Sequence, residues 1–238
     1  MSRNYLQKMA FIAVLPSLFI SPSASADLSG NVGLTTSYMP RGVTASDDKL
    51  SLSAGVHYSN PNNGAFVGFK AHTLGGESPY TQYDTYVGMT KPLSEKASFD
   101  VGLLSYQWPD NKAATDTRPS HGEEIFLTGR YGMADASVYH FINTPLMKGS
   151  TYVRAGIKKP LKNGITLGAN VGHNSYGDSD EMKPLKALGI FEDYNHLQVS
   201  AAWKDFTLAV GAADKDNTWI KATKDPTVTL TWEKNFGF

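Results

Sequence analysis

The sequence contains no cysteine. Disulfide staples, thiolate zinc sites and thiol redox chemistry are therefore excluded, and so is a lipoprotein anchor, which needs a Cys just after the leader. Net charge is lacking too, since 22 Lys and Arg balance 22 Asp and Glu. Loss of Arg3 and Lys8 with an amino-terminal leader would make the mature chain slightly acidic, which argues against nucleic acid as a partner. Beyond residue 26 no apolar run approaches the roughly 20 residues that a membrane-spanning helix requires. If the chain crosses a membrane, it must do so as a closed sheet, because backbone groups in lipid need internal partners. Catalytic spacing is missing as well. The histidines His57, His72, His121, His140, His173 and His196 accompany no GxSxG, HExxH or metal-ligand pattern, so the reading is no enzyme, no metal and no cofactor.

What is present begins with an export signal. Arg3 and Lys8 form a basic start, Met9 to Ile20 is apolar apart from Pro16 and Ser17, and Ser21 to Ala26 supplies small residues with Ala24 and Ala26 in an A-x-A frame. Cleavage is expected between Ala26 and Asp27, giving a removed signal peptide (1–26) and one domain (27–238).

From Ser29 onward the chain is a succession of segments about ten residues long with period-two alternation, the length and pattern of tilted membrane strands. Twelve strands are expected, the first running to about Met39. In the second, Leu50, Leu52, Ala54, Val56 and Tyr58 oppose Ser51, Ser53, Gly55 and His57. In the last, Val228, Leu230, Trp232, Phe236 and Phe238 oppose Thr227, Thr229, Thr231, Glu233 and Asn235, with Lys234 alone breaking the apolar side. Tight turns such as NPNNG (Asn60 to Gly64) follow even-numbered strands, and longer polar loops, including about Tyr176 to Asp193, follow odd ones. Tyr58, Phe99, Tyr131, Trp203, Phe206 and Phe236 share the apolar parity at the turn ends, where an interfacial aromatic girdle belongs. The fold class is all-β: a closed antiparallel up-and-down transmembrane β-barrel of about 12 strands, facing outer-membrane lipids. The tight turns and both mature ends are expected on the periplasmic side, with loops near Val43, Gly76, Asn111, Pro145, Asp180 and Asn217 outside.

The opposite parity carries Gly, Ser, Thr and Asn with charges, a filling suited to a wet lumen. The pore-lining candidates are Arg41, Lys70, Asp84, Glu124, Arg154 and Lys158. Closing the strand-three hairpin as Thr73 opposite Thr81 sets Lys70 across from Asp84. Similar counting on strands seven and eight sets Tyr139 beside Arg154 and Asp135 beside Lys158. On that register Arg154, and Arg41 at the mouth, have no acid opposite, which implies a weak anion preference.

A terminal aromatic strand resembles the end signal of bacterial outer-membrane barrels, which implies recognition of Phe238 by the barrel-assembly machinery. The opening stretch GNVGLTTSYMPRGVTAS, with Ser37, Tyr38, Arg41, Gly42 and Val43, together with TYVGMTKPL, FDVGLLSYQWP and EEIFLTGRYG, resembles the TorF-type porin-like family, Gcw_chp. The likeness departs at Pro40 and at a missing Asp. It implies a Gram-negative outer-membrane barrel and names no substrate. The expected function is a channel for small hydrophilic solutes or ions. The rival readings are a closed barrel with a structural or adhesive role and a membrane-embedded lipid enzyme. For the last, Ser137, His140 and Asn143 form the one tempting group, but alternation sends Ser137 inward and His140 toward lipid.

Overall fold

The computed structural model describes residues 27–46, 48–74, 80–109, 120–144, 146–189, 191–215 and 225–238. The expected leader, and the loop positions Gly76, Asn111, Pro145 and Asn217, lie outside the described residues. Twelve strands form one antiparallel sheet: β1 (Asp27–Thr35), β2 (Ser51–Ser59), β3 (Ala65–Leu74), β4 (Tyr80–Pro92), β5 (Ala97–Gln107), β6 (His121–Tyr131), β7 (Ala134–Asn143), β8 (Thr151–Pro160), β9 (Ile165–Ser175), β10 (Tyr194–Trp203), β11 (Phe206–Ala213) and β12 (Thr227–Gly237). Each pairs with its sequence neighbours, and β12 returns to β1 from Ser29 opposite Gly237 to Thr35 opposite Thr231. Closure leaves the sheet no unpaired edge, the condition for a sheet in lipid.

Alternation decides which side chains face out. Val56, Val67, Leu103, Leu127, Leu197 and Leu230 are all exposed, and together with their neighbours they form an apolar outer surface far larger than a water-soluble monomer tolerates. At the short-turn end the outer face carries five of the six expected girdle residues exposed, Tyr58, Tyr131, Trp203, Phe206 and Phe236, while Phe99 is half-buried. Lys234, the one cation on the outer side of β12, reaches Asp205 in the β10–β11 turn at 3.2 Å. Its charge is thus met where the strand leaves the apolar belt.

The connections after even-numbered strands are short, while those after β1, β5, β9 and β11 are long. Of these, the β1–β2 and β9–β10 loops bury side chains in the interior, among them Val43, Ala45, Tyr176 and Phe191. In the β9–β10 loop a helix α1 (Met182–Ala187) forms where the sequence suggested only a solvated loop. Met182 is fully buried, and Tyr176 and Phe191 meet edge to face at 4.9 Å.

Two expectations need correction. The first strand stops at Thr35 instead of Met39, because Ser37 and Tyr38 turn into the barrel: the Ser37 hydroxyl meets that of Thr44 at 2.9 Å, and Tyr38 stacks on His72 at 4.6 Å. The inward parity is also far less watery than expected. A file of rings runs along the inner wall from β2 to β10, His57–Tyr86–Phe66–Phe126–Tyr139–Tyr152–His196, with successive centroids 5.8 to 6.4 Å apart. These residues share parity with the inward charges and were legible as such; the emphasis on Gly, Ser and Thr passed over them.

Candidate functional site

The β1–β2 loop is held as a compact unit before it touches the wall. Tyr38 N donates to Ser46 Oγ at 2.8 Å, Ala45 N to Tyr38 O at 2.7 Å, and Asp48 N to Thr44 Oγ1 at 3.1 Å. Val43, Thr44, Ala45 and Ser46 are buried. A short 3-10 turn at Pro40–Gly42 forms the loop's tip. Gly42 has φ +75°, and a Cβ there would overlap the Cβ and Cγ of His196, so the loop reaches β10 at this point because residue 42 has no side chain. Arg41 itself has φ 47°, a left-handed conformation that costs a non-glycine residue about 1 kcal/mol or more and is kept only where surrounding contacts enforce it.

Those contacts are strong. Arg41 Nη2 donates to both carboxylate oxygens of Glu124 on β6, at 2.9 and 2.7 Å, and Tyr106 Oη donates to Glu124 at 2.6 Å. The guanidinium lies over the rings of Tyr152 at 4.6 Å and Tyr139 at 5.2 Å, a cation–π arrangement that desolvation strengthens. Tyr194 Oη on β10 donates to the Arg41 carbonyl at 3.2 Å. Burial alone would lower the Arg41 pKa, but the Glu124 carboxylate outweighs it and holds the guanidinium above its ordinary value. The loop is rooted at β1 and pinned at β6, nearly opposite in a ring of twelve, so it crosses the lumen. The expectation that Arg41 has no acid opposite is therefore wrong. Strand registers could not reveal its partner, because Arg41 belongs to no strand.

Below the loop lies a cavity of about 320 Å³. Arg41, Lys70, Arg154, Lys158 and Glu233 line it, with hydroxyls and amides between them, among them Ser53, Asn170, Gln198 and Thr229. Thus four of the six sequence-picked residues meet at one space. The other two, Glu124 and Asp84, are buried in the wall beside it.

The counted registers succeed in part. Thr73 does face Thr81 and Lys70 does face Asp84. Yet Lys70 Nζ leans across β2 and β1 to Glu233, 3.5 Å away, over Gly55, where a Cβ would press on the Lys70 chain at 3.2 Å. Asp84 instead accepts from Gln82 Nε2 at 2.7 Å, and His72 Nε2 stands 3.4 Å off. On β7 and β8 the count was two residues out. Ser137 faces Arg154, and Tyr139 faces Tyr152. Arg154 accordingly has an acid after all, its diagonal neighbour Asp135 at 3.2 Å, and Asp135 stands opposite Gly156 rather than directly beside Lys158. Arg130 and Asp100 pair at 2.6 Å.

Ser137 and His140 diverge as alternation implies. Ser137 accepts from Thr128 Oγ1 at 2.9 Å in the lumen, whereas His140 Nδ1 lies 2.8 Å from Thr151 Oγ1 on the outer side. Among the described residues no group of His, Asp and Glu is spaced to hold a metal ion.

A family model described as a bacterial protein of unknown function, Gcw_chp, matches residues 20–236. The chain belongs to the Gcw_chp family. Among solved structures, the chain is similar to the COG4313 outer membrane channel from Pseudomonas putida F1, with 12% identity, 95% of this chain and 100% of that one covered, and a TM-score of 0.55. It is also similar to the KdgM porin, solved in complex with disordered oligogalacturonate, with 8% identity, 89% and 99% coverage and a TM-score of 0.51. At such identities the likeness is one of fold, that of outer-membrane barrel channels. No curated protein matches the chain.

Proposed function

We propose that this Gcw_chp protein is an outer-membrane channel for the passive passage of small hydrophilic solutes or ions, and not an enzyme. The observation that carries the reading is the polar cavity enclosed by the barrel, with Lys70, Arg154, Lys158 and Glu233 on its wall and the β1–β2 loop across it. A barrel serving only as a scaffold gains nothing from desolvating charges around empty space, since such groups are costly unless water or a solute meets them. In this reading residues 1–26 are removed on export, outer-membrane lipids cover the apolar belt, and the short turns face the periplasm. The barrel-assembly machinery engages the strand that ends at Phe238.

Recording from the folded protein in planar bilayers tests the reading. Discrete conductance steps are expected, and repeated insertion without any step would overturn it. One feature favours the rival closed barrel: Arg41 and Glu124 pin the loop across the lumen. Cells expressing the protein should then gain no permeability to small sugars, whereas the channel reading expects faster uptake. Protease or label access to Asn62 or Asn163 in intact cells would reverse the assigned orientation.

A further inference from the structure

Charge is segregated within the lumen. The cavity below the β1–β2 loop is lined by four cations, Arg41, Lys70, Arg154 and Lys158, and by one carboxylate, Glu233. Glu124 and Asp135, the acids nearest Arg41 and Arg154, do not line it. Even with both counted, the group holds more positive than negative charge.

The bonding of these groups is also incomplete. Glu124 takes two bonds from Nη2 of Arg41 and a third from Tyr106 Oη, while Arg41 Nε has no hydrogen-bond partner although the residue is buried. His196, 5% exposed and on the same wall, uses Nε2 against the Tyr152 hydroxyl at 2.8 Å and leaves Nδ1 without a partner. Arg154 approaches Asp135 at 3.2 Å, yet that contact lacks hydrogen-bond geometry, since Asp135 Oδ2 accepts no bond. Buried polar atoms are normally satisfied, so the open ones on Arg41 and His196, which both line this cavity, point to a missing partner.

We infer that this cavity is a binding site for a small polyhydroxylated carboxylate, taken up as the anion. The inference rests on the channel reading for its purpose, though not for its geometry. The carboxylate would sit between Arg154 and Lys70, where charge-assisted bonds to a planar guanidinium are strongest. The hydroxyls would meet the remaining lining, in which Ser51, Ser53, Asn170, Gln198, Thr229 and Thr231 offer both donors and acceptors. A volume of about 320 Å³ suits a solute of monosaccharide size, because it equals the share of about ten waters at roughly 30 Å³ each. A purely apolar solute would satisfy none of the open donors and acceptors in this lining, and a cation would meet the excess positive charge.

Titration calorimetry on the folded barrel in detergent, with gluconate against sorbitol, decides the matter. Gluconate should bind and sorbitol should bind at least about tenfold more weakly, with the difference shrinking as salt rises. Arg154→Gln should weaken gluconate by about tenfold, the scale of one lost charge-assisted bond, and Lys70→Gln should weaken it in the same direction if Arg154→Gln folds poorly. Lys204→Gln, at an exposed turn beside Trp203, should change nothing. Equal binding of the two probes, no binding of gluconate, or unchanged gluconate binding in both lumen variants would overturn the site. Gluconate binding without any bilayer conductance would leave the site standing and remove the channel.

Discussion

Arg41 shows how a single residue can hold a loop where chain connectivity alone would not. The residue is 3% exposed, its partner Glu124 is completely buried, and three rings surround the guanidinium. Breaking a buried pair by removing one member leaves the other charge stranded, which costs about 3 to 5 kcal/mol. Arg41→Ala should therefore lower the urea midpoint of the barrel in lipid vesicles and expose the β1–β2 loop to protease. Adding Glu124→Gln should return much of the lost stability, because the stranded carboxylate is then gone. Purely additive losses in that double-mutant cycle would show that the two side chains are not coupled. Arg41→Lys keeps the charge but loses the planar stacking surface, and its midpoint should fall between those of wild type and Arg41→Ala. At this scale the sequence told which side chains face inward but seldom whom they meet. Parity fixes the face, whereas a flexible Lys70 chain chooses Glu233, three strands away on the side opposite its register partner Asp84.

Among the elements, the strands were legible and the β1–β2 loop was not. Alternation is strictly local, so the twelve strands and their short turns emerge from period two alone, with most boundaries within two or three residues of the structure. The inward fold of the loop depends on contacts with β6, β8 and β10, distant in sequence, and its polar composition matches that of any exposed loop. Gly42 is the test of that fold. Gly42→Ala places a methyl against His196 and strains a backbone at φ +75°, so the loop should lift away from β10. Larger conductance steps and faster proteolysis within residues 37–46 are expected. The pair Gly42→Ala with His196→Ala removes the collision but not the backbone strain, and should recover part of the wild-type behaviour. Indistinguishable single and double variants would mean that His196 does not seat the loop. A β-bulge where Glu123 faces Asn143 and Glu124 faces Phe141, leaving Ile142 extra, likewise escapes any count made from sequence.

For the molecule as a whole, the decisive event is the meeting of its two ends. β12 can satisfy β1 only when the entire sheet has curled, so the last bonds to form join residues some two hundred positions apart, and such non-local pairing is slow. Phe238 lies just beyond the final strand, yet its N donates to Leu28 O at 3.0 Å and extends the seam by one rung. A Cβ at Gly30 would come within 3.3 Å of the Phe238 ring, so that ring lies along β1 beside a residue with no side chain. The aromatic otherwise projects outward, 82% exposed, at the short-turn end where lipid meets water and where aromatic rings are favoured. Deleting Phe238 removes the rung and the ring together. Phe238→Asp keeps the rung but puts a charge at the interface. Both should lower the fraction of heat-modifiable, folded protein in the outer membrane, the deletion at least as much as the substitution. Refolding of purified chains into vesicles separates the causes. If Phe238→Asp refolds normally in vitro but accumulates poorly in cells, the residue serves recognition by the assembly machinery. If it also refolds slowly, the seam itself depends on the ring. Normal folded yield in cells for both variants would make Phe238 an ordinary end of the strand.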